Sequence, residues 1–423
     1  MMYLGFDIGK RWHDAALLDG DGELVWQARF APTRSGLTQL AARLADVPPA
    51  DVQVGLEATG VYWLTLHAWL QQWGAPTVRV LNPLQTRAFR NANLRGAKTD
   101  RIDAVVIARL LHWGGKRLAS HAVPEDRQAA AREISRLRTE MVELRARQLT
   151  KLHTVLDPLF PEFAAVFSDL GSPSALAVLA RWATPAALAR ARASEVTRVL
   201  HAASRGHLGA ETARALRTCA AASVGVVDPY GAAAVAVQTL VTHLEQLRAH
   251  VVALGERLDA LQADDAPTRA LLATVPGFGR ETVRTWLAEL PAMARFAAQA
   301  REQARTLKKP KHGADKLVAA VGLDAQVKQS GRSAGHARMS KRGNRYVRRA
   351  VMLAARSAAR TDPQCQAVYD AQRARGKPYL VALSHVAHQL LHITYSVLLH
   401  AKGYELPARF GTVPAPELAM AGT

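Results

Sequence analysis

The chain has 423 residues, 49% of them hydrophobic and 21% charged, a composition that excludes a largely disordered protein and predicts two or three folded domains. Its two cysteines exclude a disulfide framework, and the lack of a signal peptide or of an apolar run of about 20 residues predicts a cytoplasmic protein with no membrane contact. The formal net charge of +20 predicts a polyanionic partner.

The positive charge is concentrated late in the chain. Residues 301–360 carry 16 Lys or Arg against 3 Asp or Glu, whereas residues 1–120 carry 14 against 10. A basic block of this density in a folded chain most often contacts nucleic acid. The alternatives are a solvated surface of an Arg-rich protein and a membrane surface, which is disfavoured because the block has no bulky apolar face.

Residues 1–120 alternate strand and helix signals. After the apolar run MYLGFDIG, the segments HDAALLDG and GELVWQARF flank turn residues and predict an antiparallel hairpin. The segments that follow are a helix at Ser35–Leu44, the strand VQVGLEA, the helix YWLTLHAWLQQWG, the strand PTVRVLN and a helix in GAKTDRIDAVVIARLL. This order predicts an α/β domain of the ribonuclease-H-like type, although the pattern alone does not separate it from other α/β folds.

Four acids in this domain are candidate metal ligands. Asp7 and Glu57 end predicted strands, and Asp100 and Asp103 share one helical face, three residues apart. Four converging carboxylates are costly unless cations bind among them, and Mg²⁺ prefers oxygen ligands. Two Mg²⁺ ions would stabilise the attacking and leaving oxygens of a phosphodiester displacement. The alternative is that the two aspartates only complement the start of a helix.

Residues 121–265 carry two runs of heptad-spaced residues, interrupted between them at SRGHLG (204–209) and DPYG (228–231). The spacing predicts a coiled coil or a long helical hairpin. The runs could join two copies of the chain, or pack within their own domain as amphipathic helices. The residues are Ile134, Leu137, Met141, Leu144, Gln148, Leu152, Leu156 and Leu159, then Leu240, Leu244, Leu247, Val251, Leu254, Leu258 and Leu261.

Residues 266–405 form a third predicted domain, mainly helical, followed by a flexible tail at 406–423. It opens with TVPGFGRETV, a helix–hairpin–helix pattern in which Gly277 and Gly279 could present backbone N–H groups to a phosphate; an ordinary helix–helix turn is the alternative. Near its end, three histidines lie on one face of an apolar helix: His385, His388 and His392. Structural zinc normally needs four ligands, and with no cysteine or fourth ligand nearby in sequence we favour packing or phosphate contact.

The motifs FDIGK, GLEATG and KTDRIDA, in that order, resemble the RuvC-like domain of the DEDD transposases of insertion sequence family 110, which also includes Piv-type DNA invertases. The later segments VPGFGRETV, AVGLDAQVKQSG and KRGNRYVRRAV resemble that family's C-terminal transposase domain, joined to the first by a coiled coil. The resemblance covers nearly the whole chain. It implies DNA transposition or site-specific recombination, with Asp7, Glu57, Asp100 and Asp103 as the metal-binding tetrad.

The resemblance also implies that Ser330, in KQSG, is a nucleophile that becomes joined to DNA through a phosphoserine bond. The residues alone leave other interpretations open, because Ser-Gly is equally suited to a loop turn and because Ser333 and Ser340 are rivals. A basic insert at about residues 299–314 departs from the family pattern and could contact DNA or RNA.

The partners that the resemblance implies are DNA, at element ends and target, and a noncoding bridge RNA encoded by the element. The sequence shows no recognisable module for reading the major groove, which suits an RNA guide. We expect a dimer that assembles to a tetramer on nucleic acid at the bacterial nucleoid, with the serine of one subunit completing the tetrad of another. The predicted nucleic-acid contacts are Lys98, Arg101, Gly277, Gly279, Lys308, Lys309, Lys328, Arg332, Lys341, Arg342, Arg345, Arg348 and Arg349.

Two other functions fit parts of this pattern. A Holliday-junction resolvase would use the four carboxylates alone and leave no protein–DNA adduct. A nucleic-acid-binding coiled-coil protein would carry an inert RuvC-like domain, but the intact set of four acids argues against inertness.

Overall fold

In a computed structural model of the protein, the structure describes residues 1–57, 60–93, 100–114, 118, 126–290, 313–327 and 337–410. The chain divides into two compact units, Met1–Pro124 and Glu125–Thr423. Within the ranges given, no helix is both long enough and apolar enough to cross a membrane.

A five-stranded mixed sheet forms the centre of the first unit, with strand order β3-β2-β1-β4-β5. β1, β2 and β3 pair antiparallel, whereas β4 pairs parallel with both β1 and β5. This confirms the predicted leading hairpin and is consistent with the ribonuclease-H-like arrangement. The strands are β1 (Met2–Ile8), β2 (His13–Leu18), β3 (Leu24–Phe30), β4 (Val52–Glu57) and β5 (Val78–Leu81).

Local polar contacts fix where these elements begin and turn. Between β2 and β3 the Asp19 carboxylate accepts hydrogen bonds from the backbone N–H groups of Asp21 and Glu23, each at 2.9 Å, and Gly22 adopts a φ of +88°. The first helix begins after Thr33, whose hydroxyl accepts a hydrogen bond from the Gly36 N–H at 3.3 Å. The turn residues that predicted the hairpin therefore form it.

Four helices accompany the sheet in the described part of this unit. Three correspond to predicted helices, but the third along the chain was missed because its sequence is largely polar and has few apolar residues. That helix supplies two residues of the candidate site. The helices are α1 (Arg34–Arg43), α2 (Trp63–Gln72), α3 (Pro83–Asn93) and α4 (Asp100–Gly114).

The second unit contains two long helices, α5 (Asp126–Leu159) and α11 (Ala232–Leu261), which pack against each other. They run antiparallel, because the Arg127 guanidinium donates to the Leu261 carbonyl at 3.3 Å and Arg138 donates to the Val251 carbonyl at 3.2 Å. Both heptad runs are therefore helical and pack within one chain, as the helical-hairpin alternative predicted. The coiled coil and the dimer stay predictions.

One heptad position differs from the expected pattern. Leu137 has 42% of its surface exposed, whereas Ala131 and Ser135 are buried. In this half of α5 the buried line runs through small residues, which allow close approach to Leu258 of α11 and Ala288 of a later helix. Spacing alone could not show which line of the helix would face its neighbours.

Short helices complete the middle of the chain around a core that includes Phe160, Phe163 and Leu244. The predicted interruptions at 204–209 and 228–231 lie between α9 and α10 and between α10 and α11, which confirms them. The helices are α6 (Phe163–Val166), α7 (Pro173–Arg181), α8 (Pro185–Arg190), α9 (Ala193–Ala203) and α10 (Ala210–Ala221).

The helices among the remaining described elements of the second unit share one hydrophobic core, against which Met339 of the second strand also packs. Two short strands form an antiparallel pair that the sequence reading missed, since three-residue strands are too short to show alternation. The elements are α12 (Ala266–Ala273), α13 (Arg280–Glu289), α14 (Gly313–Val321), β6 (Ala325–Val327), β7 (Ala337–Met339), α15 (Arg345–Thr361), α16 (Pro363–Ala374) and α17 (Tyr379–His400).

Candidate metal site and nucleic-acid interface

Asp7 and Glu57 lie on one face of the sheet, at the carboxyl ends of neighbouring parallel strands. The register of β1 and β4 pairs Gly5 with Gly55, so the two acids follow two residues later at the same level. Because side chains alternate along a strand, each acid shares a face with the glycine two residues before it. Both acids are half-buried.

α4 covers this same face, and the paired glycines allow it to do so. A Cβ on Gly5 would lie 2.4 Å from the Ala104 carbonyl oxygen, and a Cβ on Gly55 would lie 2.8 Å from the Leu111 side chain. A larger residue at Gly5 would push the backbone of the helix away from the sheet, whereas one at Gly55 would require the Leu111 side chain to move. The glycines therefore set the distance between α4 and the strands that carry the acids.

The direction of α4 brings its first turn toward these acids. The helix runs antiparallel to β1, since His112 near its end packs edge-on against the Tyr3 ring at 5.0 Å, whereas Ala104 lies over Gly5. Asp103, directly before Ala104, therefore lies toward the carboxyl end of β1. Asp100 begins the helix, one turn earlier, and its side chain lies outside the described residues.

α3 contributes two polar side chains to this group, one turn apart. The Thr86 hydroxyl donates a hydrogen bond to Glu57 Oε2 at 2.7 Å, and the Arg90 guanidinium forms an ion pair with Asp103 at 2.8 Å. Thr86 is buried and the Asp103 side chain is 13% exposed, so both contacts are shielded from solvent. Sequence reasoning missed both residues, because a threonine and an arginine in an unpredicted helix carry no signal.

A further acid lies beside Asp7. Asp14 pairs with Asp7 across the antiparallel β1–β2 ladder, so the two side chains share a face. Asp14 is buried and accepts hydrogen bonds from Arg29 at 3.0 Å to Oδ1 and 2.8 Å to Oδ2. Arg29 balances the charge of Asp14, which gives this acid a structural partner.

The ligand atoms of this group are of the kind that a hard divalent cation prefers. The donors are carboxylate oxygens on two strands and one helix, which are rigid supports. In the part of the chain that the structure describes, the oxygens of Asp7, Glu57 and Asp103 do not all lie within 4.8 Å of one another.

Several predicted site residues lie outside the described residues, including the candidate nucleophile. Ser330 falls in the connection between β6 and β7 along the chain, and its rival Ser333 falls in the same segment. The predicted site residues outside the described part are Lys98, Lys308, Lys309, Lys328, Ser330 and Arg332, together with the side chains of Asp100 and Arg101.

The third serine, Ser340, has a structural role at the end of β7. Its hydroxyl donates to the Asp324 carboxylate and its N–H donates to the Asp324 carbonyl at 2.9 Å. The Ser340 oxygen also accepts from the Arg342 N–H at 3.3 Å. These bonds close the strand pair, so the serine is explained without a catalytic role.

The predicted basic contacts around α15 divide into exposed and internally bonded residues. Lys341, Arg342 and Arg345 are exposed, and they precede or begin the helix. Arg348 is half-buried and donates to the Val321 carbonyl at 2.9 Å, whereas Arg349 is exposed and pairs with Glu143 at 2.5 Å. The four exposed residues can reach a phosphate directly, and Arg348 and Arg349 also stabilise the unit.

The two glycines of the helix–hairpin–helix pattern have different environments. Gly277 has a φ of +75°, and a Cβ there would lie 2.2 Å from the Ala354 carbonyl oxygen of α15. Gly279 precedes α13, and a Cβ there would have nothing within 4 Å. Gly277 therefore serves packing, while the space beside Gly279 is open to a ligand. Phosphate binding by either glycine stays a prediction.

Two family models match the chain. The family model of the IS110 DEDD transposases matches residues 4–161. The family model of the IS116/IS110/IS902 transposases matches residues 308–370. The chain belongs to the IS110 family of transposases. This confirms the resemblance seen in the sequence motifs, and it places Asp7, Glu57, Asp100 and Asp103 inside the first matched region.

Two relatives of this IS110-family chain match nearly its whole length, and a third matches a quarter of it. It is 26% identical over 419 residues to an uncharacterized 42 kDa protein of insertion element IS900 from Mycobacterium paratuberculosis, covering 94% of this chain and 95% of that protein. It is 25% identical over 419 residues to a 43.6 kDa protein of insertion element IS110 from Streptomyces coelicolor, covering 96% and 95%. A pilin gene-inverting protein from Moraxella lacunata is 29% identical over 110 residues, covering 25% and 33%.

Membership in this family defines the class of activity. Transposases bind DNA, and the IS110 family implies an enzyme that cleaves and recombines DNA strands. The DEDD designation of the first model also suggests use of a divalent metal ion.

Proposed function

We propose that this IS110-family transposase cuts and rejoins DNA at a Mg²⁺ site formed by Asp7, Glu57, Asp100 and Asp103. The observation that carries the proposal is that Asp7, Glu57 and the α4 helix with Asp103 meet on one face of the sheet. When bound, a pair of Mg²⁺ ions supplies stabilisation of both the attacking and the leaving oxygen.

Residues around the proposed site position its acids before a cation binds. The Gly5–Gly55 pair sets the height of α4, and Thr86 orients Glu57 through its 2.7 Å hydrogen bond. Arg90 places a positive charge beside Asp103, which lowers the cost of gathering acids before a cation binds. Arg90 is therefore a positioning residue, and its guanidinium could also contact a DNA phosphate.

In the proposed reaction, Ser330 Oγ attacks a DNA phosphorus and loses its proton. The bond from phosphorus to a deoxyribose oxygen breaks, and that oxygen leaves as a hydroxyl on one strand end while the other end stays joined to Ser330. A hydroxyl of a second strand then attacks the phosphoserine, and Ser330 leaves with a proton. One phosphodiester is exchanged for another, so no ATP is needed. Insertion and inversion of DNA both require such an exchange. The Moraxella relative is named for inversion.

We further propose that an element-encoded bridge RNA selects the DNA sequences. Exposed Lys341, Arg342 and Arg345 suit phosphate contacts, which position nucleic acid but do not read its sequence. Base pairing by an RNA would supply that selection, while the protein contacts RNA through its backbone and shape.

The test is incubation of the protein with labelled element-end DNA, the flanking noncoding RNA and Mg²⁺. We expect a covalent protein–DNA adduct that disappears in Ser330→Ala and persists in Ser333→Ala and Ser340→Ala. Omission of the RNA should remove sequence selection. Mg²⁺-dependent cleavage of four-way junctions with no adduct would instead identify a resolvase, and cleavage of element ends that survives Ser330→Ala would overturn the serine assignment.

A further inference from the structure

Outside the candidate DNA-cleaving site, the second unit brings together two histidines and an aspartate. His388 and His392 lie one turn apart on the same face of α17, and their rings stack with centroids 4.7 Å apart and an angle of 25° between planes. Asp315 lies in the first turn of α14. One ligand atom from each of the three residues lies within 4.8 Å of the other two.

The packing of α14 on α17 holds this group in place. A Cβ on Gly313 would lie only 2.0 Å from the Tyr395 hydroxyl, so the start of α14 is pressed onto α17 one turn beyond His392. The contact fixes Asp315 two residues later. His392 Nε2 lies 3.6 Å from Asp315 Oδ1. All three residues are half-buried, so the group is shielded yet open to a small ion.

We infer that Asp315, His388 and His392 bind a divalent transition-metal cation of the Zn²⁺ type. Two ligands held at about 2.0–2.1 Å from a tetrahedral ion are about 3.3 Å apart, close to the separation of His392 and Asp315. Histidines at i and i+4 on one helix are a common pair of metal ligands. Two imidazoles and one carboxylate suit zinc, cobalt or nickel, whereas magnesium and calcium prefer oxygen ligands alone.

The ion's role follows from the elements that it joins. It clamps the first turn of α14 to α17, with water completing its coordination, and α14 leads through residue 324 into β6. It thus stabilises the fold on which the β6–β7 pair rests. Sequence reasoning set the histidines aside because no further ligand was near in the chain, and Asp315 becomes visible only in the folded unit.

The test uses the full chain, freed of metal with a chelator and titrated with Zn²⁺ by calorimetry and with Co²⁺ by visible absorption. We expect one saturable equivalent whose affinity falls by about 100-fold or more in His388→Ala, His392→Ala or Asp315→Asn, since even outer-shell losses cost about 10–100-fold. The exposed His385→Ala, on the same helix, is the matched control and should bind as the unmodified chain does. Repeating the titrations with every variant in an Asp7→Asn background weakens binding by the acids of the first unit and so separates the two sites.

A second readout guards against misfolding of the variants. Zn²⁺ should raise the unfolding temperature of the unmodified chain and of His385→Ala, but not that of Asp315→Asn, which keeps its shape and hydrogen-bonding capacity. Three results would overturn the inference: no saturable Zn²⁺ or Co²⁺ binding, binding unchanged in the histidine variants, or an equal loss in His385→Ala.

Discussion

At the scale of single residues, the acids of the candidate site are supported by neighbours whose importance depends on the fold. Thr86 and Arg90 lie on α3, and each contacts one acid from a different element, Glu57 on β4 and Asp103 on α4. Glu57 and Asp103 could be predicted as ligands because each stands at the end or start of a recognisable element. Thr86 and Arg90 could not, since their partners lie at distant positions in the chain and α3 itself was missed.

A second group of charges joins the helices of the other unit. Asp259 accepts two hydrogen bonds from Arg284, at 2.8 and 2.6 Å, and one from Arg280 at 2.5 Å. These guanidinium contacts lower the pKa of Asp259 well below its ordinary value, against the opposing effect of burial. Because the folded pKa lies below the unfolded value of about 3.9, the stabilisation is present above that pH and is lost as the pH falls below it.

We therefore predict that Asp259→Asn lowers the free energy of unfolding of the second unit by about 1–3 kcal/mol at pH 7, because it leaves the buried Arg284 with only the half-exposed Glu281 as an anionic partner. The difference from the unmodified chain should shrink as the pH falls from about 4 toward 2. Calorimetric unfolding as a function of pH measures both effects. Asp264→Asn, which removes an acid that is 85% exposed, is the control and should cost about 0.5 kcal/mol or less. A deficit that stays constant with pH would contradict the assigned cause.

At the scale of elements, individual glycines decide how closely helices approach their neighbours. Gly5 and Gly55 admit α4 to the sheet, and Gly277 admits the α12–α13 turn to α15. The sequence predicted the helices and the turn, because periodicity and turn chemistry are local. It could not assign the glycines their packing roles, since the Ala104 and Ala354 carbonyls that they contact are far away in the chain.

The glycines at 277 and 279 form a matched pair of test positions. Gly277→Ala should destabilise the second unit by about 2–5 kcal/mol, through about 1–2 kcal/mol for a left-handed φ and about 1–3 kcal/mol for overpacking against α15. Gly279 has an ordinary φ of −83°, and a Cβ there meets no neighbour. Gly279→Ala should therefore change the free energy of unfolding by about 0.5 kcal/mol or less. Calorimetry measures both.

DNA binding by the same variants separates packing from ligand contact. If the N–H groups beside Gly279 hold a phosphate, Gly279→Ala should weaken binding to element-end DNA while the unit stays as stable as before. Equal destabilisation by the two substitutions would contradict the packing role assigned to Gly277.

At the scale of the whole molecule, the proposed reaction requires the proposed tetrad and Ser330, which are distant in the chain, to act on one DNA phosphate. The tetrad belongs to the first unit, whereas Ser330 lies in the second region matched by the family. The antiparallel α5–α11 pair shows that the heptads pack within one chain, a choice that their spacing left open. Whether subunits share active sites depends on how the chains assemble on DNA. We propose that the serine of one subunit acts with the tetrad of another.

Mixing inactive variants tests this sharing. An Asp7→Asn subunit and a Ser330→Ala subunit should restore adduct formation when mixed, because one combination of their sites is complete in trans. Each variant alone should give no adduct. If mixtures of any ratio stay inactive while both variants bind DNA and assemble as the unmodified protein does, the sites are not shared between subunits.

The central claim is that the acids beneath α4 hold the metal on which strand cleavage depends, and its most direct test is Mg²⁺-dependent cleavage of labelled element-end DNA. Asp7→Asn and Asp103→Asn should abolish cleavage while circular dichroism and a cooperative unfolding transition show that both proteins stay folded; loss of the Arg90 ion pair should lower the unfolding temperature of Asp103→Asn. Asp21→Asn, at an exposed turn, should cleave normally. Cleavage that persists in the folded Asp7→Asn and Asp103→Asn proteins would contradict the claim, and would leave Asp103 as an ion-pair partner of Arg90 in the first turn of a helix.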